Sequence, residues 1–479
     1  MSIFRIYPSK SNTIAGSDVS GNVFEKLNSG QNAVTDLWYG GGGTDTAPEK
    51  RRSYSRFLIK FDIDVLKDKL LNKEINEDYV LTYRLKMKNT TPSDFSLQDE
   101  FEYDVLRKTI ATSFDLVCFP INKYWEEGRG YDLERERFVA KQNGSPLLSG
   151  VSNWVYATSI DAWDNPGIYS GNPKTAVTFY ATQHFDLGNE DLDMDITDIV
   201  RDWLSGGSEN HGVAISFEYD NYEQQRTNNR YISSFFTEKT NTAFKPFIEV
   251  QYNQVINDDR KQVCNNRPSN LFLYTFSGHN FSNIILSSVT VDIKTSNGIN
   301  VYTGLTPSQL STGIYYVNVL MSASTPGQKY IDVWNNVRFG DYDNQNIEQT
   351  FQIQKNYYTS NQPKVNEYVL EVYGIEQGMI VSGQEKIRAF CDLRVNYSNN
   401  QPSTNYLLQY SVVMNYQEEI IPWTDVNQAV LNNCKTNYFD IDTSWLLHNQ
   451  TYQVRFRINE MGTSRVMPEK IDIKVVKPF

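Results

Sequence analysis

The densest grouping of chemically capable side chains is Tyr124-Trp125-Glu126-Glu127, with Tyr131, Glu134 and Glu136 close behind. Paired carboxyl groups among aromatic rings are the equipment of a glycosidase. One carboxyl protonates the leaving oxygen, the second attacks or activates water, and the rings hold the sugar. Arg129, Arg135 and Arg137 interleave with these acids, however, so a solvated, ion-paired loop is the simpler account. A second acidic run, Asp191-x-Asp193-x-Asp195 with Asp202 at the twelfth position, opens like a calcium loop. Such a loop needs glycine at its sixth position and glutamate at its twelfth, where this chain has Ile196 and Asp202. Helix capping and the helix dipole account for acids at that place. Gly40-Gly41-Gly42-Gly43-Thr44 is not followed by the Gly-Lys-Ser/Thr of a phosphate loop. His184, His211, His279 and His448 have no metal-ligand spacing, and no Gly-x-Ser-x-Gly elbow is present. The sequence therefore assigns no catalytic residue, no cofactor-binding residue and no metal ligand. Trp154, Tyr156 and Trp163 can be read as a sugar-stacking platform or as interface anchors, and the interface reading is favoured.

The elements that would position these residues are mostly strands. From Tyr79 to Lys88, Tyr79, Leu81, Tyr83, Leu85 and Met87 alternate with Thr82, Arg84, Lys86 and Lys88, which predicts a half-buried strand. Phe57, Ile59, Phe61 and Ile63 repeat the pattern, as do residues 212–219 and 246–252. Ile196, Ile199, Val200, Trp203 and Leu204 have helical spacing, with Asp195 at the expected N-cap and Gly206-Gly207 as the stop. A shorter amphipathic turn spans 65–71. Polar stretches at 253–270 and 357–364 read as linkers and divide the chain into 1–255, 256–361 and 362–479. Strand-like runs fall at 271–276, 288–293, 314–321 and 349–354 in the middle piece. In the last piece they fall at 368–373, 387–395, 406–414, 452–458 and 471–476. Each of these two pieces has the length and turn spacing of an immunoglobulin-like sandwich.

Composition agrees with sheet: aromatic residues make up 13% of the 479 residues, with 31 Tyr and 25 Phe. The net charge of -12 disfavours contact with nucleic-acid phosphates and with anionic lipid. Cys118, Cys264, Cys391 and Cys434 form no close pair, which fits a reducing compartment. The opening Met1-Ser2-Ile3-Phe4-Arg5 begins no apolar run of signal-peptide length, and no segment has transmembrane length. The expectation is a protein made in the cytoplasm that leaves it, if at all, within a particle or by lysis.

Four landmarks make residues up to about 252 resemble the DNRLRE domain, a β-sandwich related to carbohydrate-binding modules. They are Ser55 to Asp62, followed by the alternating strand at 79–88; Tyr124-Trp125-Glu126-Glu127-Gly128; Asp195 to Leu204 with Gly212-Val213-Ala214-Ile215; and the closing Pro246 to Tyr252. The resemblance implies packing roles for Trp125 and Trp203. The long insertions at 93–108 and 131–149 depart from that family's pattern. The whole chain resembles structural proteins of tailed, crAss-like bacteriophages, in which sandwich domains build rings, hubs and collars. Together these likenesses imply an all-β chain, a DNRLRE-like sandwich with short helices followed by two immunoglobulin-like sandwiches. The expected role is non-enzymatic. The chain would act in a virion tail through copies of itself and other tail proteins, after synthesis in the bacterial host cytoplasm. The alternatives are a carbohydrate-binding protein recognising host surface glycan and a polysaccharide-degrading enzyme.

Overall fold

A computed structural model describes residues 2–17, 28–41, 52–91, 113–131, 152–169, 173–218, 231–277, 280–322, 324–338, 345–354, 368–383, 386–395, 406–431, 434–460 and 463–477. The chain is built of β-sandwiches, with short α-helices at Asp64–Leu71, Pro173–Ala176 and Thr197–Ser205. It divides into two compact units. One comprises Phe4–Lys67 with Leu81–Gln251; the other comprises Met1–Ile3, Asp68–Val80 and Tyr252–Phe479.

In the N-terminal half, one four-stranded sheet runs Ser2–Ile6, Phe247–Tyr252, Val80–Met87, Leu192–Asp195. The facing sheet runs Tyr231–Phe236, Val34–Gly41, Arg52–Phe61, Val213–Phe217, Phe114–Pro120, Ala181–Phe185, and Pro8–Ser17 also pairs with Arg52–Phe61. The strand Arg52–Phe61 is central. Phe57, Ile59 and Phe61 are buried as alternation requires, but Leu58 is buried too. Leu58 lies in a second apolar cluster with Ile14, Val117, Trp125, Trp154 and Trp163, so this sheet is covered on both faces. A strand covered twice reads as a continuous apolar run instead of an alternating one.

The strand expected at 79–88 spans Val80–Met87. Tyr83, Leu85 and Met87 are buried as expected, whereas Leu81 is 52% and Tyr79 37% exposed. Tyr79 instead ends a one-turn helix, Glu77–Tyr79, capped by Asn76. The helix at Thr197–Ser205 buries Ile199, Val200 and Trp203, and Gly206 ends it at φ 77°, a left-handed conformation that glycine adopts without strain. Ile196, not Asp195, occupies its N-cap position and makes no side-chain cap. Asp195 accepts from the Thr197 N–H at 3.0 Å and the Thr197 hydroxyl at 2.5 Å. Ile196 is drawn into the cap position because its side chain is buried, at 1% exposure.

In the C-terminal half, a first sandwich faces the sheet Pro268–Tyr274, Ile314–Leu320, Ser308–Ser311 against the sheet Asn300–Leu305, Thr290–Thr295, Lys329–Val337, Gln345–Gln352. Leu271, Tyr315 and Val317 from one sheet meet Val291, Ile293 and Trp334 from the other in a single core. The last sandwich faces Tyr368–Tyr373, Lys386–Val395, Cys434–Asp442, Asn427–Leu431 against Met379–Ser382, Thr463–Val476, Gln450–Glu460, Tyr406–Met414, Glu418–Asp425. Aromatic rings join its layers: Phe439 stacks on Tyr410 at 4.5 Å and meets Phe456 edge-on at 5.7 Å.

These two immunoglobulin-like sandwiches share a cluster of Ile256, Phe272, Leu310, Ile314, Ala429 and Tyr438. The stretch 253–270, which reads as a linker, is anchored in this unit. Its Asp-Asp-Arg-Lys run looks solvated, yet Arg260 is 1% exposed, held to Asp258 at 2.5 Å and Asp332 at 2.7 Å. Asp68–Val80 also belongs here. Lys69 pairs with Asp442 at 2.5 Å and Glu74 at 3.2 Å, and Asn76 donates to the Leu310 carbonyl at 3.3 Å. The second linker expectation, at 357–364, lies outside the described residues, as do most of the two insertions.

Candidate functional site

Trp125, Glu126 and Glu127 follow the strand Phe114–Pro120 and pass beside the strand Pro8–Ser17. Trp125 is fully buried, and its indole N–H donates to the His211 carbonyl at 2.8 Å. Glu127 accepts from the Ser11 N–H at 3.3 Å and pairs with Lys239 at 2.8 Å. Glu126 accepts from the Ser159 N–H at 3.3 Å. Gly128 closes the motif for a steric reason: a Cβ there would collide with the side-chain amides of Asn12 and Asn28. Those amides bind the surrounding loops, Asn12 donating to the Ser152 carbonyl at 2.9 Å and Asn28 accepting from the Gly130 N–H at 2.9 Å. The acids thus hold chain segments together. Glu134 and Glu136 lie outside the described residues.

Beside this motif is a cleft of about 650 Å³ whose lining includes Lys10, Lys60, Lys67, Trp203, Glu209 and Asn210. That volume falls within the range of ligand pockets. Lys10 donates to the Trp125 carbonyl and stands 4.5 Å from the Tyr124 ring and 4.3 Å from the Trp125 ring. Burial, followed by the neighbouring Lys60 charge, pushes the Lys10 amine down to about 8, against the opposing pull of Glu127 and Glu126. Burial also lowers His211, with Glu209 opposing and Lys60 and Lys10 reinforcing. Asp62, Asp64 and Glu209 also line the cleft, and Lys67 pairs with Asp64 at 3.3 Å, so three lysines face three carboxylates and the lining has no excess of positive charge for an anion. The linear sequence gave no sign of Lys10, whose carbonyl partner lies 115 residues away.

The remaining candidates separate. Asp193 meets Arg84 at 2.7 Å and Lys86 at 3.8 Å, while Asp191 meets Lys88 at 2.9 Å and the Asn89 N–H at 2.9 Å. These acids tie adjacent strands together, and no metal-holding cluster of His, Cys, Asp and Glu occurs among the described residues. His184 is exposed and hydrogen-bonds Asp115 at 2.9 Å, a contact that raises its pKa. His448 packs over Gly383. Gly40 and Gly41 end the strand Val34–Gly41, while Gly42, Gly43 and His279 lie outside the described residues. Cys118 and Cys391 are buried free thiols, pushed up by burial, and Cys264 is half-buried and free.

The surface-aromatic expectation is corrected at two of its three residues. Trp154 and Trp163 are each 5% exposed, and only Tyr156, at 42%, faces solvent. Trp154 fills the space above Gly16 and Gly167, and Trp163 donates to the Asn153 carbonyl at 2.7 Å. They are core residues of the layer over Leu58.

No family model and no curated protein matches the chain. Among solved structures, the Ig1-Ig2 portion of Dpr2, in complex with DIP-Theta, aligns at 8% identity and a TM-score of 0.14, over 45% of this chain and 94% of that one. A DUF4785 family protein from Legionella pneumophila aligns at 10% identity and a TM-score of 0.16, over 96% and 91%. Escherichia coli alpha-2-macroglobulin aligns at 10% identity and a TM-score of 0.18, over 47% of this chain and only 19% of that one. Scores and identities this low place the chain in no family.

Proposed function

We propose that the chain is a non-enzymatic structural subunit of a bacteriophage tail, whose contacts with its own copies close a ring, hub or collar. The observation that carries this reading is the edge strand Met379–Ser382 of the last sandwich. It pairs on one side in unbroken register, from Met379 opposite Ile473 to Ser382 opposite Val476. Among the described residues it ends its sheet on the other side. Ile380 is 67% exposed on this strand, which carries no charged residue and no proline. An open edge offers a row of free N–H and C=O groups, and proteins that stay single blunt such edges with charge, proline or bulges. Regular, apolar edges suit a chain whose neighbours cover them, and heterologous contacts that close give a ring. The tail setting rests on the resemblance to crAss-like structural proteins. The pairing of Glu126, Glu127, Asp191 and Asp193 within the fold supports the non-enzymatic part.

Ile380→Lys places charge on this edge without touching a core. Sedimentation velocity of the variant beside the unmodified chain is the test. Loss of the oligomer with an unchanged melting temperature is expected; an oligomer of unaltered mass would remove this edge from the interface.

A further inference from the structure

A small open pocket of about 120 Å³ lies in the C-terminal unit, lined by Tyr79, Gln254, Asn257, Asn270, Phe272 and Tyr316, with Val255 and Leu310 beside them. Three rings and three side-chain amides form most of its lining, and no lining residue carries a formal charge at neutral pH. Phe272 and Tyr316 lie 5.6 Å apart at 33°; Phe272 is 4% exposed and belongs to the core, so Tyr316 and Tyr79 are the rings a ligand can reach. Tyr79, 37% exposed, lines the same pocket. The amides are partly held in place. Gln254 accepts from the Asn76 N–H at 2.8 Å, and Asn270 accepts from Asn318 at 2.9 Å. Their NH₂ groups, the Asn257 amide and the Tyr79 and Tyr316 hydroxyls make no hydrogen bond within the fold among the described residues, so their bonding capacity is left for a ligand.

We infer that this pocket binds one neutral hexopyranose unit of a glycan. The C–H bonds on one face of a pyranose are weakly positive and sit favourably on the negative face of an aromatic ring. Its hydroxyls each donate and accept, which matches amides and phenols. The lack of lining charge disfavours sugar acids and phosphates, which want Arg or Lys. An open pocket of about 120 Å³ suits one ring docked by a face and is too small to enclose a larger ligand. The site belongs to a different unit from Trp154 and Trp163, and a sugar-binding role for it neither requires nor excludes ring assembly.

The test is native affinity electrophoresis of the full chain in gels containing dextran, yeast mannan, laminarin or, as the acidic comparison, alginate. Retardation in at least one neutral gel is expected. Tyr79→Ala should weaken it about tenfold and Asn257→Ala severalfold, while Tyr79→Phe should stay within about threefold. Tyr156→Ala should leave it unchanged. Tyr79 and Asn257 are exposed, and melting curves of these variants verify folding. No retardation in any neutral gel, retardation in alginate alone, or retardation that survives Tyr79→Ala and Asn257→Ala overturns the assignment.

Discussion

Replacing Arg260 by methionine should loosen the C-terminal unit more than any surface change. The Arg260 side chain is 1% exposed, and those of Asp258 and Asp332 are fully buried. Its guanidinium binds Asp332 through Nε at 3.3 Å and Nη2 at 2.7 Å, and binds Asp258 through Nη1 at 2.5 Å. Trp334 adds an indole N–H to Asp332 at 2.8 Å. Burial pushes the Asp258 carboxyl up to about 6 despite Arg260 pulling it down, with Asp332 and Asp259 adding to the rise. The cluster therefore carries two carboxylates on one cation, and removing that cation leaves both buried without countercharge. Breaking a buried pair costs about 3–5 kcal/mol, which is about 2 to 3.5 decades in an opening equilibrium at 1.4 kcal/mol per decade. Hydrogen exchange read by mass spectrometry on peptides covering 258–274 and 329–337 reports this opening locally. Arg260→Met should speed exchange there by that factor. The triple change Asp258→Asn, Arg260→Met, Asp332→Asn removes charge along with its partner and should recover more than half of the loss. Exchange in Arg260→Met within tenfold of the unmodified chain, or a triple variant no better than the single one, would refute the reasoning.

Two further perturbations follow from side chains that the fold brings together. Lys69→Met should cost about 1–3 kcal/mol at pH 7, by loss of charge-assisted bonds to Asp442 and Glu74. Burial works against the Asp442 carboxylate, but Lys69 and Ser444 outweigh it and hold its pKa below the usual value. A depressed acid stabilises above its unfolded pKa and loses that contribution as pH falls through its folded pKa. The difference between the two proteins in urea melts should therefore shrink below about pH 4, and a difference that stays constant to pH 2 would contradict the pairing. Gly128→Ala forces a Cβ against Asn12 and Asn28 and should destabilise the N-terminal unit by about 1–3 kcal/mol in thermal melts; a neutral result would contradict the packing.

The sheet character was legible because alternation and β-branched or aromatic runs survive wherever a strand has one wet face. The expected strands at 368–373 and 406–414 match the observed Tyr368–Tyr373 and Tyr406–Met414, and Gly206 ends its helix as expected. Misreadings arose where a second layer intervenes. Leu58 is buried opposite Phe57 and Ile59 because the Trp125–Trp154–Trp163 cluster covers the other face, and that cluster also removes two of the three tryptophan and tyrosine residues read as exposed. The stretch holding Asp258–Lys261 read as a linker because Asp332, the partner of Arg260, lies 72 residues away. The same distance problem hides the Lys10 cleft and the Tyr79 pocket. Local spacing exposes helix faces and strand faces; it does not expose a site whose members meet only across sheets.

The most direct test of the central claim is the mass and shape of the full-length chain in solution, by light scattering after size exclusion with negative-stain images of the same peak. The account expects a single species at an integer multiple of 55.3 kDa whose images show a closed ring. A monodisperse 55.3 kDa particle that persists at every concentration up to the solubility limit would contradict it.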